Sequence, residues 1–374
     1  PRTGGRRMNY KVTALTPLLV GDRRALSPID YMVWKDQVNV LDQRRIFRLL
    51  ARGPRLDGYL SQLRKAAKLD FASWGGFAQN FSERRIPFEH PGSTAIWNAA
   101  ASELLFIPTF AADHRGPYLP GSALKGALRT GFVFAHAAPE TIERAAGSIE
   151  RDRAPRRLGE AAETSARASQ TRRIGVADSQ PAPASAFQVF LTRVASLDTR
   201  QASKPQLAWK IAGRGSVPPA RIDDATPTFA EMAVPGTSFN GEWDDRGQSG
   251  PEPNAFIEAA NRFAAAQLDL HARYAEIANL APLAEEMQRL NQELAGIQNS
   301  SNTCLLCLGW GSGFVSKSAF PDTGQESYRK ILRAVPSIGR SLREGAPFPK
   351  TRRVIFLGGR PATLPGWVTL ELGS

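Results

Sequence analysis

The residues best placed to do chemistry lie in the segment Leu119–Thr130, LPGSALKGALRT. Its Pro-Gly-Ser run predicts a turn that opens a helix, and Lys125 and Arg129 follow four residues apart on one face of that helix. Backbone N–H groups at a helix N-terminus carry partial positive charge and favour anions, and the two cations extend that field. The segment therefore predicts contacts with phosphate groups, and the residues that we expect to make them or to allow close approach are Gly121, Ser122, Lys125, Gly126 and Arg129.

A second candidate is the glycine-rich run Leu308–Lys317. Alternating glycines permit positive φ and close backbone approach, while a serine and a lysine supply groups for phosphate oxygens. The run lacks the context of a dinucleotide site and the ending of a P-loop, so a structural turn and a nucleic-acid contact both stay open. The residues concerned are Gly309, Gly311, Ser312, Gly313 and Lys317, and a further basic segment adds Lys350, Arg352 and Arg353.

Composition indicates a polyanionic partner. The chain has 374 residues, with 48 Lys and Arg against 35 Asp and Glu, a net charge of +13 and a pI near 10.2. Such a balance is typical of proteins that bind nucleic acid. Because 42% of the residues are hydrophobic, the chain can form buried cores and is not a disordered basic tail.

The cysteines and histidines offer little for metal or acid–base chemistry. Cys304 and Cys307 have the spacing of half a zinc site, but no second cysteine pair exists, and their apolar spacer favours two buried strand residues. His114 is a conceivable base for RNA cleavage, yet no second acid or base is placed beside it by spacing. His136, Asp113 and Asp178 are similarly isolated, so we expect no catalytic residue, no metal and no cofactor.

Nothing in the sequence indicates a membrane or a disulfide framework. Two cysteines cannot form such a framework, and no apolar stretch approaches the ~20 residues that span a bilayer. We expect a cytoplasmic protein without membrane contact.

Strands and helices alternate along the chain. The pattern around residues 31–41 indicates a tight hairpin, and apolar residues recurring every seven positions over residues 254–299 indicate a helical hairpin or kinked helix. The other predicted strands are Tyr10–Val20, Leu104–Phe110, Ile174–Ser179, Ala186–Val194, Phe239–Trp243 and Gly366–Leu372, and the other predicted helices are Asp42–Leu50, Gly58–Ala67 and Gln325–Ala334.

The same patterns divide the chain into two parts. Residues 139–173 are charged and alanine-rich, and we interpret them as a weakly ordered insertion. We expect an N-terminal domain over residues 8–200, which carries this insertion, and a C-terminal domain over residues 201–374 with the helical segment and the glycine-rich loop.

Taken in order, these segments resemble the RAMP proteins of CRISPR systems. Within them, the chain is similar to the family of fifth Csm subunits in type III-A effector complexes. The matching segments span nearly the whole chain: Leu26–Tyr31, which includes Ser27, then Leu119–Thr130, Leu308–Lys317, Phe348–Arg353 and Gly366–Val368.

The resemblance implies an α+β protein with two ferredoxin-like (RRM-like) RAMP domains and a glycine-rich loop in the second one. It implies a non-catalytic subunit that binds crRNA, caps its 3′ end and supports crRNA maturation and antiviral defence. The implied partners are crRNA, a target RNA duplex, and the backbone and small Csm subunits of the ribonucleoprotein.

Two alternatives stay open. One is a RAMP-type endoribonuclease that processes precursor crRNA, which metal-independent cleavage lost in His114→Ala would support. The other is an unrelated basic RNA-binding or assembly protein, which a solitary monomer without ribonucleoprotein partners would favour.

Overall fold

A computed structural model describes most of the chain. The described residues are 7–51, 53, 55–65, 80–137, 140–151, 171, 174–198, 204–213, 215–245, 252–339, 342 and 347–373.

The elements are as follows. The strands are β1 Arg7–Ala14, β2 Ala25–Leu26, β3 Tyr31–Trp34, β4 Gln37–Leu41, β5 Ser82–Pro87, β6 Ile107–Pro108, β7 Ala112–Asp113, β8 Gly116–Pro117, β9 Ile174–Val176, β10 Phe187–Asp198, β11 Gln206–Ile211, β12 Gly215–Val217, β13 Thr228–Ala233, β14 Ser238–Asp245, β15 Thr303–Cys307, β16 Thr351–Leu357, β17 Arg360–Thr363 and β18 Trp367–Leu372. The helices are α1 Gln43–Leu50, α2 Leu56–Lys65, α3 Ser93–Ala99, α4 Gly121–His136, α5 Thr141–Arg151, α6 Pro253–Ile277, α7 Ala281–Ile297, α8 Gly313–Lys317, α9 Glu326–Ala334 and α10 Pro336–Gly339.

One sheet has the ferredoxin-like arrangement. Its antiparallel order is β15-β18-β1-β14-β9, and in chain order the strands β1, β9, β14 and β18 enclose the helices α4 and α6. Side chains of β1 alternate strictly over its first six residues, so that Met8, Tyr10 and Val12 enter the core and Asn9 and Lys11 stay outside. The expected ferredoxin-like α+β fold is confirmed.

The second sheet is built around the long strand β10. Its order is β12-β11-β10-β16-β17, and β13 pairs with the first half of β10. A smaller sheet, β3-β4-β5, is tied to it because Arg84 on β5 forms an ion pair with the fully buried Glu231 on β13.

The helix that carries the first motif is packed from two directions. Leu124, Leu128 and Phe132 of α4 enter the core beneath the first sheet, and Phe132 stacks on Phe256 of α6 at a ring distance of 4.6 Å. The two helices approach closely at Gly131, where an added Cβ would lie 3.1 Å from the Ala260 Cα. α4 is therefore held rigidly against both β9 and α6.

Most of the predicted elements are present. The hairpin over residues 31–41, the helical pair within 254–299 and the final strand are confirmed. The helices predicted over Asp42–Leu50, Gly58–Ala67 and Gln325–Ala334 are also present, at 43–50, 56–65 and 326–334, while residues 66 and 67 lie outside the described residues. Three strand predictions were too long: the first strand ends at Ala14, the strand predicted over Ile174–Ser179 ends at Val176, and only Ile107–Pro108 of the predicted strand Leu104–Phe110 pairs with another strand.

The insertion is partly helical, and the two large sheets cross the predicted domain boundary. Residues 139, 152–170, 172 and 173 of the insertion lie outside the described residues, whereas Thr141–Arg151 forms α5 and packs on Tyr328, Ile331 and Leu332 of α9. Both large sheets take strands from before and after residue 200, so neither sheet follows the predicted sequence boundary.

Candidate nucleic-acid interface

The N-terminus of α4 is occupied by the chain itself. The Gly121 N–H donates to Asp178 Oδ1 at 2.8 Å, and the Leu119 N–H donates to Ser179 Oγ at 2.9 Å. An added Cβ at Gly121 would lie 2.3 Å from the Val176 carbonyl oxygen. Gly121 is thus required because α4 begins against the end of β9, which corrects the expectation that it admits a ligand; Ser122 beside it is exposed.

The two cations of the first motif separate in the fold. Lys125 Nζ donates to the carbonyl oxygen of Ile174, on β9, at 2.5 Å, and the half-buried side chain does not line the cavities described below. Arg129, one turn later, lines a groove of about 550 Å³. Lys125 therefore fixes α4 to β9, and Arg129 is the cation that faces the open side.

The groove runs between α4 and the glycine-rich loop. Its walls include Gly126, Arg129 and Thr130 on the helix side and Gly309 and Lys317 on the loop side. Arg23 and Arg24 from the loop after β1 complete it, and the described residues that line it include four Lys or Arg and no Asp or Glu. Asp22, which does not line the groove, pairs with Arg24 at 3.1 Å. The fold thus joins the two predicted motifs, 180 residues apart, in one basic groove.

The three glycines of the loop have different roles. All have positive φ, of 90°, 81° and 78° for Gly309, Gly311 and Gly313. An added Cβ would lie 2.4 Å from the Leu19 carbonyl oxygen at Gly309 and 2.8 Å from Pro365 Cγ at Gly311. At Gly313 it would meet nothing within 4 Å, so this glycine is the one whose surroundings are open to a ligand.

The polar residues of the loop also differ. Ser312 is buried and its Oγ donates to the Gly309 carbonyl oxygen at 2.9 Å, so it closes the turn. Lys317, at the end of α8, is exposed. The serine shapes the loop, and the lysine supplies its charge.

The basic segment at the start of β16 is largely internal. Arg352 is 8% exposed, its Nε donates to His271 Nδ1 at 2.9 Å, and its guanidinium lies 4.4 Å from the Tyr274 ring centre. Burial lowers the pKa of Arg352 to about 10. Arg352 is therefore a largely buried residue that also lines the cavity on the other side of the loop, and its contact with RNA stays a prediction; Lys350 beside it is half-buried.

Arg353 points to the other side of β16. Its guanidinium lies 4.3 Å from the centre of the half-buried Trp310 ring, and Nη1 donates to Thr192 Oγ1 at 3.1 Å. Arg353 thus reaches the glycine-rich loop.

Ser27 does not meet the other predicted residues. Its N–H and Oγ both donate to Asp30 Oδ2, at 2.7 and 2.6 Å. These bonds close a turn before β3, and Ser27 lines neither the groove nor the cavity on the other side of the loop. The Ser27 side chain therefore stabilises this turn.

Sequence reasoning missed three residues of this region: Arg23, Arg24 and Trp310. The available signal was the run Gly-Asp-Arg-Arg at residues 21–24 and the tryptophan between two loop glycines. Arg23 has φ of 73°, an uncommon value for a residue with a side chain. The loop after β1 and the glycine-rich loop meet through long-range contacts, such as the hydrogen bond from the Trp310 backbone N–H to the Leu19 carbonyl oxygen at 2.7 Å.

The other candidate residues have structural partners or stand apart. Cys304 and Cys307 are buried in β15, as predicted, and burial raises their thiol pKa values, to about 12 for Cys307. Asp113 pairs with Arg115 at 2.8 Å, and His136 Nδ1 contacts the Phe132 carbonyl oxygen at 2.9 Å.

Within the described residues, no group of three or more His, Cys, Asp or Glu is arranged to hold a metal ion. No helix in that part of the chain is long and apolar enough to cross a membrane.

Comparison with known proteins gives one match to a family model. Residues 11–183 match the family model of the RAMP superfamily. No curated protein matches the sequence.

Two solved structures share the fold. A chain in the cryo-EM structure of a Csm–crRNA–target RNA ternary complex of a type III-A CRISPR-Cas system has a TM-score of 0.62 and 19% identity, with 97% of this chain and 100% of that chain covered. The crystal structure of T. onnurineus Csm5 has a TM-score of 0.54 and 17% identity, with 96% and 99% covered. Residues 11–183 match the RAMP superfamily model, and the chain shares its fold with these two proteins over nearly its whole length.

Proposed function

We propose that the groove between α4 and the glycine-rich loop holds the sugar-phosphate backbone of an RNA strand. The observation that carries the proposal is the convergence of Arg23, Arg24, Arg129 and Lys317 around one groove whose described lining includes no carboxylate. Cations so placed attract phosphates and release counterions from the nucleic acid.

The backbone of the groove suits close approach by a polymer. Gly126 on α4, which lines the groove, has nothing within 4 Å of an added Cβ. Gly313 is equally open, but it lines the cavity on the other side of the loop. Contacts of this kind read phosphate position and not base sequence. The groove is therefore suited to holding guides whose sequences differ.

We further propose that the chain is a Csm5-like subunit of a type III-A ribonucleoprotein. Support comes from the RAMP match over residues 11–183 and from the fold shared with Csm5 and with a chain of the Csm–crRNA–target RNA complex. In this role it binds crRNA and caps its 3′ end, alongside the backbone and small Csm subunits.

A non-catalytic role is part of the proposal. Asp178 accepts from the first N–H of α4, and Asp113 is paired with Arg115. His114 lies exposed in the short turn between β7 and β8 and does not line the groove. The candidate acids and bases are thus spread over separate structural positions instead of meeting at the basic groove.

The test is the salt dependence of RNA binding by Arg129→Ala/Lys317→Ala. We expect affinity for single-stranded RNA to fall about tenfold or more at low salt, since two charge-assisted contacts are lost. The slope of log K against log salt should flatten by about 1.4, at roughly 0.7 per phosphate contact on a single strand.

A matched control removes the same charge elsewhere. Arg262 and Arg273 are exposed on α6 and do not line the groove. Arg262→Ala/Arg273→Ala should leave the affinity within about twofold of wild type. Equal losses in both double variants would show that net charge and not the groove binds RNA.

A further inference from the structure

A second cavity, of about 280 Å³, lies on the other side of the glycine-rich loop. Gly311, Gly313 and Phe314 line it from the loop, and Thr351 and Arg353 line it from β16. Because Trp310, Ser312 and Lys317 line both this cavity and the groove, the loop is the partition between them. A polymer held in the groove therefore passes directly beside the cavity.

The cavity wall carries a planar aromatic and cationic pair. Trp310 and Arg353 are both half-buried, and the guanidinium lies over the indole at 4.3 Å. Nucleobases stack on aromatic rings and on guanidinium planes, and such stacking tolerates different bases. Arg353 is held in place because it also donates to Thr192 Oγ1, and the backbone of Trp310 is held because its backbone N–H donates to the Leu19 carbonyl oxygen.

A buried histidine adds a hydrogen-bonding group. His271 is 2% exposed, lines the cavity, and accepts from Arg352 Nε through Nδ1 at 2.9 Å. Since a guanidinium can only donate, the proton of the neutral imidazole must be on Nε2. His271 therefore has one N–H to offer, and this nitrogen makes no assigned hydrogen bond among the described residues.

Size restricts what can enter. Sites for whole small-molecule ligands run from about 300 to 1,000 Å³, so this cavity suits a fragment such as one planar base. A phosphate alone would leave the apolar surfaces of Trp310, Phe314 and Leu364 unused.

We propose that this cavity receives one nucleobase of the RNA whose phosphates lie in the groove, stacked against the Trp310–Arg353 pair, with His271 donating a hydrogen bond. The inference rests on the proposed function and extends it, because the groove contacts phosphates and this cavity contacts a base. It predicts a base-dependent gain in affinity that is separate from the salt-dependent one.

The experiment compares two RNA probes on the full chain. One probe is an oligouridylate of eight nucleotides, and the other is the same length with an abasic ribose at every position. We expect the oligouridylate to bind about tenfold more tightly, within the range given for one base–aromatic stack, and both probes to keep the same salt slope.

Trp310→Leu should remove the difference between the probes, whereas Trp34→Leu, the same change at an exposed tryptophan outside the cavity, should keep it. Equal affinity of the wild type for both probes would overturn the nucleobase site and leave the phosphate groove standing. A difference that persists in Trp310→Leu would also overturn it. If neither probe binds, the proposed function fails, and the nucleobase site fails with it.

Discussion

At the scale of single residues, the cations of the motifs divide by what surrounds them. Lys125 donates to a backbone carbonyl of β9 and Arg352 is buried against His271 and Tyr274, while Arg129 and Lys317 line the groove. A charged group taken out of water must find partners, so a buried arginine that already has three is a structural residue. Arg129 and Lys317 are therefore the motif cations that are placed to contact a polyanion in the groove.

The buried His271 should make stability depend on pH. Burial, with the charge of Arg352 beside it, holds the pKa of His271 well below its usual 6.5 in the folded chain. As pH falls through about 6.5, the unfolded state takes up a proton that the folded state does not, so the free energy of unfolding decreases.

We expect His271→Gln, which keeps an acceptor for Arg352, to remove this loss of stability. Between pH 7 and pH 5 the wild type should lose up to about 2 kcal/mol more than the variant, as measured by urea unfolding at each pH. Parallel curves for the two proteins would mean that His271 takes up its proton in the folded state as well.

The sequence predicted which residues belong to this region better than it predicted the role of each one. The sequence indicated Arg129, Lys317 and Gly313, which line the open region. It also indicated Gly121 and Arg352, whose environments are internal. Sequence spacing places two residues on one helix face, but it does not say which strand that face is packed on.

At the scale of elements, α4 depends on glycines for opposite reasons. Gly121 sits where the helix begins against β9, and Gly126 faces the groove with open space around it. The first is a packing requirement, and the second keeps side chains out of the groove.

The same substitution at the two positions should therefore have opposite effects on stability. Gly121→Ala places a Cβ against the backbone oxygens of Val176 and Ala177, and we expect a loss of about 1–3 kcal/mol. Gly126→Ala should raise the free energy of unfolding by up to about 1 kcal/mol, because alanine favours the helix. Urea unfolding measures both, and an equal loss at both positions would contradict this account of α4.

Elements with strong local signals could be predicted from the sequence. The hairpin β3–β4 turns at Lys35 and Asp36, which have φ of 51° and 56°, and α1 begins where the Asp42 side chain accepts from the Arg45 N–H. The strand β6 was overestimated because Leu105, Ile107 and Phe110 of its apolar run are buried while only two residues pair with another strand. Burial without pairing has the same sequence pattern as a strand.

At the scale of the whole molecule, the glycine-rich loop reaches α4 because the sheets mix distant segments. β1 lies between β14 and β18, so the two ends of the chain share one sheet. The predicted division at residue 200 could not foresee this, since strand pairing over 230 residues leaves no local pattern. How the chain divides into two RAMP domains remains a proposal.

The central claim is that this fold holds guide RNA within a type III-A ribonucleoprotein, and purification of the tagged chain from its native cell tests it most directly. Sequencing the bound RNA and identifying the bound proteins should recover repeat-derived guides with other Csm subunits, and Arg129→Ala/Lys317→Ala should reduce the guide recovered per subunit. Recovery of the wild-type chain without guides or Csm subunits would contradict the claim.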